Sequence, residues 1–212
     1  MMAVTGVVMV LFVVTHLLGN LQIFLGQDAF NDYAAFLHSI PELLWPARIG
    51  LLAAFIGHFA VAFALRNKNK AARPEGYHVE KRIQASAASI YMFETGLVIF
   101  FFVIIHLLHF TFTVLQPQFA DKLDAKGRYD VYSMVINGFH NGTYSAFYIF
   151  CMVMVGIHMS HAIGSMFATF GFGRPGFRKK ADAAGRLVAA LIALGYISIP
   201  LASWTGLLRL PG

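Results

Sequence analysis

The chain has 212 residues, of which 58% are hydrophobic and only 12% are charged, with a formal net charge of +6. A soluble domain carries about a quarter charged residues, so this composition argues against a water-soluble enzyme. Disulfide frameworks, Cys-ligated zinc sites and iron-sulfur clusters each need at least two thiolates. The single cysteine, Cys151, excludes all three within this chain, and we expect it to be a small apolar packing residue.

Five stretches are apolar enough to cross a membrane as helices, for which about 20 residues are needed. They cover residues 3–25, 44–65, 89–115, 144–170 and 187–208. The first stretch has neither a positively charged leader nor a small-residue cleavage site, so it is not predicted to be a removable signal peptide. The sequence thus predicts an all-α integral membrane protein with one transmembrane domain over residues 1–212.

The basic residues predict how these spans are oriented. Six Lys and Arg residues lie between positions 66 and 82 and five lie between 174 and 186, so these two segments hold 11 of the 16. By the positive-inside rule this side is cytoplasmic, which places the N-terminus inside and the C-terminus outside. The basic side is expected to face a cytoplasmic partner or anionic lipid rather than nucleic acid.

The first and third spans match each other at an offset of 90 residues. A Thr-Gly pair at residues 5–6 aligns with one at 95–96, and His16-Leu-Leu aligns with His106-Leu-Leu. Apolar composition alone does not explain a shared histidine at a fixed distance from a shared glycine, so we interpret the match as an internal repeat. Both spans run from inside to outside, which predicts parallel halves with His16 and His106 at the same depth.

Each of the first four spans contains a histidine: His16, His58, His106 and His158. The fifth span has none and is expected to pack outside the other four as a peripheral helix. A hydrogen bond between helices explains a single intramembrane histidine. Ionisable residues inside a membrane are costly, however, and four of them, one on each helix, indicate a function.

A four-helix bundle that presents facing imidazoles at two depths can bind two haems, each with two axial histidines. The depths predict an outer haem between His16 and His106, on the first and third helices. They predict an inner haem between His58 and His158, on the second and fourth. A di-metal carboxylate site would need several inward acids, and Glu94 is the only acid within a span.

Two other histidines each follow a proposed ligand by three residues and share its helix face. In the third span the repeat favours His106 as the ligand, because His109 aligns with Gly19. In the fourth span depth fits His161 slightly better than His158, so that assignment stays open.

The histidine that does not bind iron in each of these two spans is a candidate contact to a haem propionate or to a quinone. Asn20 and Glu42 are further candidates on the outer side. Glu94 is an inner candidate that handles a proton or, alternatively, reaches to water at the interface. The remaining histidines are expected to be solvated in loops, at His38, His78 and His140.

Together these segments resemble the single-chain, two-haem cytochrome b anchor of succinate dehydrogenases and fumarate reductases. The resemblance covers essentially the whole chain and is carried by Thr-Gly-Val at 5–7, His-Leu-Leu-Gly-Asn at 16–20, His58, Ile-His-Leu-Leu-His-Phe at 105–110 and Gly-Ile-His-Met-Ser-His-Ala at 156–162. It implies that one histidine from each of the first four helices binds haem b, with the same pairing. It also favours His158 over His161.

The resemblance further implies a non-catalytic subunit in the bacterial cytoplasmic membrane, with a flavoprotein and an iron-sulfur subunit bound on the cytoplasmic side. Electrons would pass from succinate through this chain to menaquinone or another quinone, or in reverse to fumarate. A two-haem subunit of a hydrogenase or formate dehydrogenase is an alternative. A transporter is a third hypothesis, but it predicts inverted halves or broken helices, and the spans are continuous apart from Pro200.

Overall fold

The computed structural model describes residues 1–72, 87–172 and 174–210. Within these ranges seven helices have ten or more residues: α1 (Met2–Leu21), α2 (Gln27–His38), α3 (Pro41–Ala71), α4 (Met92–His106), α5 (Val131–His140), α6 (Gly142–Thr169) and α7 (Pro175–Trp204). A 3₁₀ turn, Gln22–Leu25, extends α1, and a helical turn, Ala87–Ile90, precedes α4. A π-helical turn, Leu107–Thr111, follows α4.

Five helices of the described chain are long and apolar enough to cross a membrane, which confirms the predicted spans. They are α1 with its 3₁₀ turn, α3, α4 with its π-helical turn, α6 and α7. Two of them are longer than predicted, since α3 continues to Ala71 and α7 begins at Pro175 instead of near residue 187. Lys, Arg and Ala are strong helix formers, so the helices extend beyond their apolar segments into the basic flanks.

The short helices α2 and α5 lie outside the spans and were not predicted. The chain reaches α2 through Gly26, whose φ of 99° is a conformation that side-chain-bearing residues rarely adopt. Asp130 caps α5 by accepting a hydrogen bond from the Ser133 amide. His38 and His140 are therefore exposed at the last residues of these helices rather than in loops, while His78 lies outside the described residues.

The four histidine-bearing helices form a ring in chain order. Helix α1 packs against α3, α3 against α4, α4 against α6, and α6 against α1. The diagonal pairs are consequently α1 with α4 and α3 with α6, and each pair faces across the interior of the ring. This is the arrangement that the two predicted histidine pairs require.

Helix α7 packs outside this ring, against α6 and α1, as predicted for the fifth span. Its contacts are close because small residues line them. A Cβ added at Gly156 would lie 3.0 Å from the Ala193 Cβ, and one added at Gly195 would lie 2.9 Å from Leu17. Small residues let membrane helices approach closely, so α7 is firmly held by α6 and α1. Cys151 is buried on the α6 side of this core, as expected.

A polar cap holds α2 to the segment before α5. Asn31 is fully buried and donates its amide to Asp124 (3.0 Å) and Asp130 (3.2 Å), while its carbonyl oxygen accepts from the Tyr132 amide (2.9 Å). Arg128 forms ion pairs with three acids, Asp28, Asp32 and Asp124. These contacts satisfy carboxylates that would be costly to bury alone, and they tie α2 to the end of the bundle at which α1 ends.

Acidification is expected to release α2 from this cap. Burial by itself would raise the pKa of Asp124, but hydrogen bonds from Arg128 and Asn31 lower it below its ordinary value. An acid with a lowered folded-state pKa stabilises the fold above its unfolded pKa of about 3.9, and that contribution is lost as the pH falls through the folded value. Hydrogen exchange corrected for intrinsic rates should therefore show that protection of residues 27–38 decreases below about pH 4.

The variant Asp124→Asn provides the control for this prediction. It should lower the protection of α2 already at neutral pH and reduce the dependence on acid. If α2 in Asp124→Asn is as protected as in the unmodified chain, the cap does not depend on this charge.

Candidate functional site

His16 of α1 and His106 of α4 meet across the ring. Their ring centroids are 5.9 Å apart, and the two planes are almost perpendicular, at 84°. The Nδ1 atom of His106 is buried and has no hydrogen-bond partner among the described residues. Phe12 stacks on His16 at 5.1 Å, and Phe102 lies 5.7 Å from His106. The two imidazoles therefore face one another in an apolar, aromatic environment.

His58 of α3 and His158 of α6 form the second pair, and each is held by a threonine from a neighbouring helix. The Nδ1 atom of His58 lies 3.0 Å from Thr5 Oγ1, and the Nδ1 atom of His158 lies 3.0 Å from Thr95 Oγ1. Because Thr5 and Thr95 are equivalent in the repeat, the two imidazoles lie at equivalent positions of the two halves. In both halves of the internal repeat, the threonine therefore contacts the histidine of the next helix in the ring.

The glycines of the repeat lie beside the same histidines. A Cβ added at Gly96 would lie 3.3 Å from His158 Cε1, and one added at Gly6 would lie 3.8 Å from His58 Cε1. A larger residue at position 96 would press on the imidazole. The Thr-Gly pair therefore supplies both a polar partner and the space that its histidine occupies.

The two histidine pairs lie at two levels along the bundle. Thr5 marks the level of His58, and His16 follows it by 11 residues on α1. At 1.5 Å per residue the pairs are separated by roughly 16 Å along the helix axis. Each level thus has one imidazole from each of two diagonal helices.

His109 lies apart from both pairs, in the π-helical turn that follows α4. It is fully buried, its Nδ1 atom is 3.1 Å from the Tyr148 hydroxyl, and its ring is 4.5 Å from that of Tyr144. Its Nε2 atom has no partner in the described chain, and neither does the Nε2 atom of the nearly buried Gln116. Such π-helical turns are frequent at functional sites.

The other residues predicted to contact a quinone or a propionate are exposed, partly buried or paired with protein groups. Asn20 donates to the backbone oxygen of His16 at 2.7 Å, and Glu42 is exposed in the first turn of α3. Glu94 is half-exposed and forms an ion pair with Arg66 at 2.8 Å. That environment is typical of an interfacial acid rather than of a buried proton carrier. His161 is partly buried one turn beyond His158.

Sequence reasoning did not assign a role to several residues that contact the histidines. Thr5 and Thr95 were visible as part of the repeat, and their recurrence with a following glycine was the available signal. Tyr196 of the fifth helix lies 6.1 Å from the His16 ring and donates its hydroxyl to the Val13 backbone oxygen at 2.8 Å. Nothing in its local sequence indicated that contact, because it depends on how α7 packs on α1.

A family model described as the succinate dehydrogenase/fumarate reductase transmembrane subunit matches residues 66–199, which is more than half of the chain. No curated protein and no solved structure gives a significant match. The matched segment includes His106 and His158, while His16 and His58 lie before it. The match to the family model agrees with the five apolar helices and the helical fold. The chain belongs to the succinate dehydrogenase/fumarate reductase transmembrane subunit family.

Proposed function

We propose that this chain binds two haem b groups and passes electrons between the iron-sulfur subunit of its complex and a membrane quinone. His16 and His106 hold the outer haem, and His58 and His158 hold the inner one. The observation that carries the proposal is that each ring helix carries one of four histidines at two levels: His16 and His106 meet across the ring, and Thr5 and Thr95 hold His58 and His158 at the other level.

The outer pair has the spacing that bis-histidine ligation needs. Bonds from imidazole nitrogen to a metal are about 2 Å long, and the nitrogen lies about 1 Å from the ring centre, so two imidazoles that share one metal would have ring centroids up to about 6 Å apart. The measured separation of His16 and His106 is 5.9 Å.

The apolar surroundings of the outer histidine pair also fit a haem. A bound haem b supplies a one-electron couple at each level. The chain's own part is to ligate the iron, fix the imidazole orientations and exclude water. Aromatic side chains such as Phe12 and Phe102 keep the surroundings of His16 and His106 apolar, which limits solvent access and sets the local dielectric.

Of the residues predicted to contact a quinone or a propionate, His109 has the strongest support. A buried polar atom without a partner is costly, and its Nε2 atom is such an atom. When the Tyr148 hydroxyl donates to Nδ1, Nε2 carries the proton and can donate it to a quinone or propionate oxygen. Asn20, Glu42 and Glu94 have no comparable unpaired buried group.

The orientation follows from charge. The basic ends of α3 and α7 face the cytoplasm, so the inner histidine pair lies nearer the flavoprotein and iron-sulfur subunits, and the C-terminus lies outside. The membrane is the cytoplasmic membrane of a bacterium. Family membership favours a succinate or fumarate complex over the hydrogenase, formate dehydrogenase and transporter alternatives.

A reduced-minus-oxidised spectrum of the purified complex, with haem quantitation, tests this proposal. We expect a b-type signal and two haems per copy of this chain. A complex that contains the chain at full occupancy and shows no b-type signal would contradict the proposal, and one haem per chain would contradict the two-site assignment.

A further inference from the structure

The hydrogen bonds of Thr5 and Thr95 determine which nitrogen of their histidines carries the proton. Thr5 Oγ1 lies 3.2 Å from the Met1 backbone oxygen and 3.0 Å from that of Met2, in addition to its 3.0 Å contact with His58. A carbonyl oxygen only accepts hydrogen bonds. The hydroxyl proton is therefore directed to a carbonyl, and the hydroxyl oxygen accepts from the His58 Nδ1–H group.

Thr95 repeats this geometry on the other half of the bundle. Its Oγ1 atom lies 3.0 Å from the Tyr91 backbone oxygen, 3.1 Å from that of Met92 and 3.0 Å from His158 Nδ1. If the hydroxyl donated to Nδ1 instead, its oxygen would lie against two acceptors with no proton between them. His58 and His158 are thus both protonated at Nδ1, which leaves the Nε2 lone pair of each ring free for a metal.

The outer pair lacks this support at His106. Its Nδ1 atom is buried without a hydrogen-bond partner in the described part of the chain. His58 and His158 therefore each have a hydrogen-bond partner at Nδ1, whereas His106 has none in the described part of the chain. When a histidine binds a metal, a hydrogen bond from its other ring N–H fixes the orientation of the ring and raises its basicity. The inner and outer levels would therefore offer a metal imidazoles of different basicity.

We infer that Thr5 and Thr95 are positioning residues that fix the tautomer and ring orientation of the inner histidine pair and lower the reduction potential of the group bound there. The inference rests on the proposed function for the identity of that group. A more basic imidazole stabilises the ferric over the ferrous state, so removing either hydroxyl should raise the inner potential and leave the outer one unchanged.

Redox titration of the purified complex, followed optically and by electron paramagnetic resonance, tests the inference with Thr5→Val and Thr95→Val. Valine keeps the shape of threonine and removes the hydroxyl. We expect the relative affinity for the ferric state to fall by up to about tenfold for each variant, a rise of about 59 mV for a one-electron couple. The signal of the inner haem is the one that His158→Ala removes.

Two controls separate positioning from general structural damage. Thr5→Ser and Thr95→Ser retain the hydroxyl and should keep the unmodified potential. Thr15→Val is matched to the test variants, because Thr15 makes the same hydrogen bonds to backbone oxygens three and four residues earlier, precedes His16, and bonds to no histidine. It should change neither potential.

The outcomes distinguish this inference from the proposed function. Two bound haems with an unchanged inner potential and resonance spectrum in both valine variants would overturn the inference alone. A complex without haem would overturn the proposed function as well. If a valine variant loses only the inner haem while its serine counterpart retains both, the retained outer haem reports a folded bundle and the positioning role is supported.

Discussion

His106→Ala is expected to remove the outer haem and to leave the inner one, so that haem content falls from two to about one per chain. The imidazole of His106 faces His16, and no other described histidine ring lies as close to His16. Alanine would leave only His16 of the two residues proposed to hold the outer haem, whereas the inner pair, roughly 16 Å away along the axis, keeps its contacts. Haem quantitation and the reduced-minus-oxidised spectrum measure this loss.

His109→Ala is the matched control, since it removes a fully buried histidine three residues further along. It should retain both haems, because His109 contacts Tyr144 and Tyr148 instead of His16. Slower quinone reduction with both haems present would support its proposed contact to quinone. If His109→Ala loses one haem and His106→Ala retains both, the third-span ligand is His109 and our assignment is wrong.

His158→Ala is expected to remove the inner haem and to stop electron transfer from succinate to quinone. In the proposed orientation the inner pair lies nearer the catalytic subunits, so its loss would break the path at the first step within this chain. Succinate oxidation by a soluble dye that accepts electrons from the iron-sulfur subunit should continue. The ratio of quinone to dye activity should therefore fall by more than about a hundredfold, as expected when a metal ligand is lost.

His161→Ala tests the competing assignment within the same helix. His158 is the residue that Thr95 holds, in the way that Thr5 holds His58, so His161→Ala should retain both haems. His158→Gly with added imidazole provides a further check, because a free imidazole can restore the missing ligand. Loss of the inner haem in His161→Ala, with both haems kept in His158→Ala, would reverse the assignment.

The sequence was informative about the membrane-spanning core for a physical reason. Hydrocarbon requires long apolar helices, so the five spans are visible in composition alone, and the cost of an intramembrane histidine makes His16, His58, His106 and His158 conspicuous. The depth of each histidine follows from its position in a helix of constant rise. The diagonal pairing could therefore be predicted before the ring order was known.

Helices α2 and α5 illustrate why other elements could not be predicted from the sequence. Helices α2 and α5 are too short to span a membrane, and α2 is held by contacts from Asn31 and Arg128 to residues about 100 positions away. The π-helical turn at His109 is likewise not marked by a residue type. Local sequence carries little information about structures that distant partners stabilise.

By itself, the sequence determined the number of membrane spans, the depth of the four central histidines and the Thr-Gly repeat, because bilayer thickness and helical rise are the same for every apolar helix. Only the tertiary structure decided that Thr5 and Thr95 hold His58 and His158, that His109 contacts Tyr144 and Tyr148, and that α7 packs on α6 and α1 through glycines. These contacts depend on how the helices are rotated and how closely they approach. Packing between side chains distant in the sequence determines both quantities.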